Sequence, residues 1–418
     1  MLTEPSTDYR CPGESHPISG AVHLARLASF YPKCRGCAHR DDTGTLSPQF
    51  VKLLAQTRRG GRDLSLFTAE GVEGVYLNTL TAPVTRKLAA VFALGLPRQG
   101  AERNQATADV VVAGDGRPLT SELVAAACEG IRWTGRRVID LGAATAPCVA
   151  WAVHHLGAAG GVLVGNAGDE PQMIGLKFWH DGGRPLSAGA ELARMREHYE
   201  AGVDRPSRTY GGLGRFQPGD GYLAGWKDHF HGLRPLRFVL DTRCQPLVGY
   251  LRRLSAESAC EVLQELKPDG QATARRGLAE RVRAADAHFG LWIDGDGEAC
   301  RLVDQQGLEV RHDEWLCLIA ERLLASRPGA ALVLEHGASA RLAERINAVG
   351  GRVAFSDPAR AAMDDAMRCH GALAGGGPSG RLWFGGEAPA ADILKALALL
   401  LTVLSQSDRT LSEVVRAS

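Results

Sequence analysis

The sequence has no dominant charge and little lysine. Its 418 residues carry 48 Lys and Arg against 47 Asp and Glu, which gives a formal net charge of +1. This balance excludes strongly basic proteins that bind nucleic acid through their overall charge, and it also excludes acidic-tail proteins. Lysine accounts for only seven of the 48 cations, and a general arginine bias reflects genome composition more often than phosphate binding. We therefore expect no nucleic-acid partner.

Long hydrophobic runs are also missing. The longest apolar stretch, residues 393–401, is interrupted by Lys395 and is shorter than the ~20 residues of a membrane helix. The N-terminus lacks the basic segment followed by an apolar one that marks a secretory signal. We therefore expect a cytoplasmic protein without a membrane partner. In that compartment the ten cysteines should be reduced thiols or metal ligands.

Strand and helix patterns alternate along most of the chain. β-rich runs at 109–113, 137–141 and 161–164 are separated by segments with helical periodicity. The same alternation returns at 236–293 and again at 313–404. Strands that alternate with helices of 10–15 residues predict α/β domains with mixed, largely parallel sheets. Ligands of such sheets bind at the carboxyl ends of strands.

The patterns predict a short N-terminal segment followed by three α/β domains. The N-terminal segment spans residues 1–65 and contains a group of cysteines and histidines. The three α/β domains are predicted at 66–187, 188–303 and 304–418. Three glycine-containing loops follow strands in these domains, at 165–171, 294–298 and 375–381. We expect any binding site to be built from these loops.

Five segments, in this order and spacing, resemble the motifs of the α-D-phosphohexomutase family, the phosphoglucomutases and phosphomannomutases. They are FTAEGVEG (67–74), VVAGDGRP (111–118), GVLVGNAGDEPQMIGLK (161–177), LWIDGDGE (291–298) and GGPSGR (376–381). The resemblance covers some 350 residues. It implies three similar α/β domains. The family's fourth domain, which holds substrate phosphate, has no recognisable counterpart, and we expect it to be absent.

The resemblance implies a phosphoryl transfer through a serine, but this sequence departs from the motif at that position. The gapless match places the nucleophilic serine at Ala167, whose methyl group cannot carry phosphate. Asp169 is a weak alternative as an aspartyl-phosphate former, because an Asp beside Gly is typical of a turn. The motif's arginine is Glu73. No intact catalytic residue is therefore predicted.

The remaining motif positions predict binding residues. Asp294, Asp296 and Glu298 correspond to a Mg²⁺ loop, although Glu298 is longer than the family's Asp; solvated carboxylates without a metal are the alternative. We predict contacts with a substrate phosphate or sugar at four positions. They are Arg117, Lys177, Ser379 and Arg381. A structural ion pair is an equal alternative for Arg117, and a solvated surface side chain is an equal alternative for Lys177.

Cysteines and histidines cluster near the N-terminus, with the run C-x2-C-x-H at residues 34–39. A structural Zn²⁺ needs four sulfur or nitrogen ligands, and a short segment with little core gains folding energy from such an ion. A redox C-x2-C pair and plain reduced cysteines are the alternatives. The Zn²⁺ would take four of five residues, namely Cys11, His16, Cys34, Cys37 and His39.

These observations predict a family member that has lost mutase activity. We expect it to bind a phosphosugar or to act as a regulatory or interaction protein, with a protein partner or a second copy of itself. An active phosphohexomutase with unusual residues is one alternative. The other alternative is a zinc-dependent assembly module in which the mutase-like domains have no function of their own.

Overall fold

The computed structural model describes residues 9–57, 66–97, 109–168, 170–187, 189–202, 209–256, 258–265 and 271–417. These residues form helices packed on three mixed sheets, one of eight strands and two of five. The α/β fold class with mixed sheets is confirmed. Antiparallel pairings are as prominent as parallel ones, because the last parallel strand of each sheet continues into an antiparallel neighbour instead of another crossover helix.

The N-terminal segment consists of short helices that pack on the first sheet. Ser19 and Ser47 cap helices α1 and α2, since each side chain accepts a bond from a backbone N–H of the first turn. The rings of Phe30 and Phe50 stack at 5.7 Å and belong to the core of the first sheet. The elements are α1 Gly20–Ala28, a 3₁₀ helix Pro32–Gly36 and α2 Pro48–Gln56.

The first sheet has the strand order β1-β2-β6-β5-β3-β4-β8, and β7 pairs with β6. Its last strand, β8, lies beyond the boundary predicted at residue 187, because the chain returns to the edge strand β4 before it enters the second sheet. The strands are β1 Phe67–Thr68, β2 Gly71–Val75, β3 Val110–Gly114, β4 Val138–Ala143, β5 Gly160–Asn166, β6 Met173–His180, β7 Pro185–Leu186 and β8 Leu213–Arg215. The helices are α3 Ala82–Gly95, α4 Ser121–Trp133, α5 Ala146–His155, α6 Ala190–Ala201 and α7 Gly219–Ala224.

The second and third sheets have the orders β10-β9-β11-β12-β13 and β15-β14-β16-β17-β18. The second contains β9 Arg237–Thr242, α8 Gln245–Ser255, β10 Glu261–Glu265, α9 Gln271–Ala284, β11 Phe289–Ile293, β12 Cys300–Asp304 and β13 Glu309–Val310. The third, with its flanking helices, contains α10 His312–Ser326, β14 Ala331–Glu335, α11 Ala340–Ala348, β15 Arg352–Ser356, α12 Arg360–His370, β16 Ala374–Gly376, β17 Leu382–Phe384, β18 Ala390–Ala391, α13 Ile393–Ser405 and α14 Leu411–Ala417.

One strand arrangement occurs in all three sheets. Three parallel strands are ordered second, first, third, and the third is followed by an antiparallel strand: β4-β3-β5-β6, β10-β9-β11-β12 and β15-β14-β16-β17. The loop between the last two strands therefore leaves the carboxyl end of a parallel strand in each sheet. The three loops that the sequence predicts as binding loops occupy this equivalent position.

A single apolar cluster links the three sheets. It contains Leu163 of the first sheet, Leu291 of the second and Leu334 of the third, so the sheets are packed against one another through their helices. Helix α13 is buried along most of its length, as expected for a packed helix and not a membrane span. None of the helices in the described ranges is long and apolar enough to cross a membrane.

Candidate functional site

The three equivalent loops and the turn between β1 and β2 surround one cavity. Its volume is about 250 Å³. Polar and charged side chains of all three sheets face it, which makes it the convergence point of the sequence motifs. The charged residues that line it are Glu70, Glu73, Lys177, Asp241, Arg243, Asp294, Asp296, Arg301 and Arg381.

Ala167 lies on the wall of this cavity, at the predicted nucleophile position. It follows the end of β5 and is 5% exposed. The next residue, Gly168, has a φ of +66°, a left-handed conformation that glycine adopts without strain. The turn thus presents a methyl group between Asn166 and Gly168 to the cavity. Asp169 lies outside the described residues.

Among the described residues that line the cavity, two carry hydroxyl groups that are already engaged. Thr242 Oγ1 donates to the Asp294 carbonyl at 3.4 Å and accepts from Cys244 N at 3.0 Å. Ser379 Oγ donates to the Glu335 carboxylate and accepts from Arg381 N at 3.2 Å. Both hydroxyls hold loops in place, and neither replaces the missing serine of the β5–β6 turn.

The loop after β11 is a tight carboxylate-rich turn. Asp294 Oδ1 accepts from Gly297 N at 2.8 Å and from Glu298 N at 2.9 Å, which closes the turn. A Cβ on Gly295 would lie 2.6 Å from Asn166 Cβ, so only glycine allows this close approach to the β5–β6 turn. Burial first, and then the charge of Asp296 and a hydrogen bond to it, raise the pKa of Asp294 well above its usual value.

Lys177 places its ammonium between two carboxylates of this loop. Its Nζ donates to Asp296 Oδ2 and, at 2.7 Å, to Glu298 Oε2. Burial alone would lower the pKa of Lys177, but the charges of Asp296 and Glu298 outweigh it and the pKa is raised. The lysine therefore stays charged although its side chain is only 15% exposed.

Two arginines complete the charge network around Glu298. Arg360 Nη1 lies 3.5 Å from Glu298 Oε1, and Arg381 Nε lies 3.7 Å from Oε2. Burial would raise the pKa of Glu298, but Lys177, Arg360 and Arg381 together lower it to about 2. The two arginines also bind Glu70 of the β1–β2 turn, with Arg360 Nε at 2.9 Å and Arg381 Nη1 at 3.2 Å from its carboxylate.

The carboxylates in this arrangement do not fit Mg²⁺. The ion requires near-octahedral oxygen coordination, whereas Asp296 and Glu298 turn oxygens toward Lys177 and Asp294 binds its own turn. Within the described ranges, no group of three or more His, Cys, Asp or Glu side chains is arranged to hold a metal ion. The Mg²⁺ that the resemblance implies for Asp294, Asp296 and Glu298 is not supported by this geometry.

The predicted substrate residues have different surroundings. Lys177, Ser379 and Arg381 line the cavity. Arg117 is absent from the described lining of that cavity, and it binds Asp115 at 2.5 Å and the Pro171 carbonyl at 2.9 Å. It therefore connects the β3 and β5 loops, as expected of a structural ion pair.

Three residues of this site were not predicted from the sequence. Glu70 lies within a quoted motif, but its partners come from the third sheet. Arg360 begins α12, a helix that was not predicted. Glu335, at the end of β14, is fully buried and holds Ser379; a Cβ on Gly377 would come within 2.7 Å of Glu335 Cβ. A buried strand that ends in Glu is the signal that identifies such a residue.

The N-terminal cysteines lie apart from the cavity. Cys11 and Cys34 are buried, and Arg26 Nη1 donates to Cys11 Sγ at 2.9 Å. Burial, with smaller contributions from Cys11 and Cys37, raises the pKa of Cys34 to about 11. All ten cysteines are free thiols. Since no metal-binding group is arranged in the described residues, the zinc site remains a prediction.

His16 and His39, the predicted nitrogen ligands, differ in their surroundings. The His39 ring packs edge-on against Tyr9 with centroids 5.3 Å apart, whereas His16 is exposed. His23, which is not one of the predicted ligands, is buried. Its ring stacks on the Tyr9 ring, with centroids 4.0 Å apart. Tyr9 therefore contacts the rings of both His23 and His39.

Comparison with known proteins gives one family and a consistent fold. Residues 64–201 match the family described as phosphoglucomutase/phosphomannomutase, alpha/beta/alpha domain I. The chain is 26% identical to a phosphoglucomutase/phosphomannomutase of Thermococcus kodakarensis, over 84% of this chain and 79% of the relative. It is 27% identical to a phosphomannomutase/phosphoglucomutase of Pseudomonas aeruginosa, over 84% and 77%.

Solved structures show the same fold. A phosphoglucomutase/phosphomannomutase family protein of Burkholderia thailandensis superposes with a TM-score of 0.74 at 24% identity, over 84% of this chain and 79% of that chain. The structure of a protein described as a putative phosphomannomutase from Thermus thermophilus superposes with a TM-score of 0.71 at 21% identity, over 84% and 82%.

Proposed function

Because this chain belongs to the phosphoglucomutase/phosphomannomutase family, we propose that it binds a hexose phosphate in the cavity of the three loops without interconverting it. The observation that carries the proposal is Ala167, a methyl group on the cavity wall where the family motif has its phosphate-carrying serine. Loss of a nucleophile typically lowers turnover by several orders of magnitude. The cavity retains a charged lining although the serine is missing, which fits a binding or regulatory role in the cytoplasm.

The chemistry of the lining supports a ligand with both an anionic group and hydroxyls. Lys177, Arg243, Arg301 and Arg381 bring positive charge to the cavity, and arginine binds phosphate through paired donors. The carboxylates that line the same cavity accept hydrogen bonds from sugar hydroxyls. A hexose monophosphate carries both kinds of group.

Two measurements test the two halves of this proposal. A coupled assay with glucose or mannose 1-phosphate, with the hexose 1,6-bisphosphate added as activator, should detect no turnover above background. Titration calorimetry with hexose 6-phosphates should detect binding that the free hexose does not show. Turnover comparable to an active relative refutes the loss of activity. The absence of any heat or thermal shift with all hexose phosphates refutes the binding role.

A matched pair of variants locates the ligand. Arg301 lines the cavity, its side chain is 31% exposed, and it pairs with Glu309 at 3.1 Å. Arg301→Met should weaken hexose phosphate binding by about tenfold, the loss of one charge-assisted bond. Arg215→Met is the control, since Arg215 is 89% exposed on the edge strand β8. Equal weakening by both variants would place the ligand elsewhere.

Active phosphohexomutase is the second candidate, and the names of the relatives favour it. If it holds, a residue other than Ala167 must carry the phosphoryl group. Mass spectrometry of the protein after incubation with a hexose 1,6-bisphosphate distinguishes the two candidates, because only the active enzyme retains a covalent phosphate. We expect the unmodified mass.

A further inference from the structure

The loop that should bind a divalent cation already holds an amino group from another sheet. Lys177 lies on β6 of the first sheet, whereas Asp296 and Glu298 lie on the β11–β12 loop of the second. Its Nζ donates to one oxygen of each carboxylate, Asp296 Oδ2 and Glu298 Oε2. Their side chains are 3% and 6% exposed, so these bonds are shielded from water.

The surrounding charges work against a second cation at the same place. Glu298 faces Arg360 and Arg381 in addition to Lys177, so one carboxylate is already shared by three positive groups. A divalent ion beside Glu298 would be repelled by all three, and repulsion between buried charges is much stronger than in water. It would also have to displace the Lys177 ammonium and leave that charge buried without a partner, which is costly.

We propose that the Lys177 ammonium is the resident cation of loop 294–298, and that this loop binds no divalent ion until the ammonium is removed. The ammonium supplies one positive charge at the carboxylates and joins the first sheet to the second. The site therefore needs no metal to keep its carboxylates in place. This inference concerns the protein alone and holds whether or not a hexose phosphate binds.

Removal of the lysine would leave two carboxylate oxygens without their hydrogen-bond partner. Asp296 Oδ2 and Glu298 Oε2 would lose their hydrogen-bond donor, and Asp294 lies in the same turn. Carboxylate oxygens are hard ligands that suit Mg²⁺, Mn²⁺ and Ca²⁺. A neutral side chain of similar length at position 177 should thus convert the loop into a divalent-cation site.

Mn²⁺ titration of the chelator-treated full chain tests this inference. Free Mn²⁺ is followed by electron paramagnetic resonance with the wild type, Lys177→Met and Lys227→Met. Lys227 is exposed, so its variant controls for the loss of one net charge. We expect the wild type and Lys227→Met to show only weak binding, and Lys177→Met to gain a site at least about tenfold tighter. The double variant Lys177→Met/Asp296→Asn should lose that gain.

Two results would overturn the inference. One is a wild type that binds a single Mn²⁺ as tightly as Lys177→Met does. The other is a folded Lys177→Met protein, by circular dichroism, that gains no site. If Lys177→Met does not fold, Lys177→Gln takes its place, since the amide keeps one donor but no charge. The wild type gives an independent readout, because its melting temperature should be the same in chelator and in millimolar MgCl₂.

Discussion

Arg360 donates from Nε to Glu70 Oε2 at 2.9 Å and so joins two residues 290 positions apart in the chain. The arginine begins α12 beside the third sheet, and the glutamate lies in the β1–β2 turn of the first. The guanidinium also donates to the Glu70 carbonyl at 3.1 Å and lies 5.0 Å from the centre of the Trp179 ring. With Glu298 as a further partner, this one buried side chain connects all three sheets.

Arg360→Met should therefore destabilise the protein strongly. The variant keeps the apolar stem but leaves Glu70 and Glu298 without one of their cations, and a broken buried ion pair typically costs about 3–5 kcal/mol. Urea denaturation measures the loss. Arg196→Met is the matched control, because Arg196 pairs with Glu200 at 2.8 Å on an exposed helix face and should cost less than about 1 kcal/mol. Similar losses for both variants would contradict a special role for Arg360.

The strands and helices were predictable where their pattern is local. The runs predicted as strands at 109–113, 137–141 and 161–164 correspond to β3, β4 and β5 with bounds that differ by at most two residues, because short buried strands between turns are marked by their own residues. Strand β6 is not among the predicted strands, because its first residues belong to the motif at 161–177. Helix α12 is not among the predicted helices because its buried face is half charged, with Arg360 and Asp364 beside Met363 and Met367.

The site was predictable in its position but not in its bonding. The motifs identified the three loops, because each follows a strand that ends at the same edge of its sheet. The partners of Lys177 are 119 and 121 residues away in the chain, and no local pattern contains such a pairing. The contact of Glu335 was unpredictable for the same reason, since only the fold brings this residue to the backbone of Ser379.

Asp294→Asn should stabilise the protein at neutral pH. The pKa of Asp294 is raised by burial and by Asp296, so the folded state favours the protonated carboxyl, which an amide imitates. The unfolded chain loses this proton above about 3.8. The wild type therefore loses stability as the pH rises from there toward the raised folded-state pKa, whereas the variant does not.

Urea denaturation at neutral and acidic pH measures this difference. Asp294→Asn should unfold at a higher urea concentration than the wild type at neutral pH. This difference should disappear below pH 3.8, where both states of the wild type are protonated. Asp408→Asn, at a fully exposed position, should show neither effect. A variant less stable than the wild type at neutral pH would refute the protonated Asp294.

Ser379→Ala should loosen the β16–β17 loop. Ser379 donates to Glu335 through both its hydroxyl and, at 2.9 Å, its backbone N–H. Loss of the hydroxyl leaves one oxygen of a fully buried carboxylate without its donor, which costs about 1–3 kcal/mol. Chemical denaturation measures the cost, with Ser326→Ala as control, because the Ser326 hydroxyl binds Leu323 O on an exposed helix end. A cost no greater than that of the control would show that Glu335 does not hold the loop.

Two helical glycines should respond in opposite directions to alanine. A Cβ on Gly130 of α4 would lie 2.1 Å from the Arg86 carbonyl oxygen of α3, whereas nothing lies within 4 Å of a Cβ on Gly249 of α8. Gly130→Ala forces two packed backbones apart and should cost about 3 kcal/mol. Gly249→Ala removes backbone freedom from the unfolded chain and should gain about 0.5–1 kcal/mol. Urea denaturation of the two variants measures both changes, and a neutral Gly130→Ala would mean that α3 and α4 are not in backbone contact.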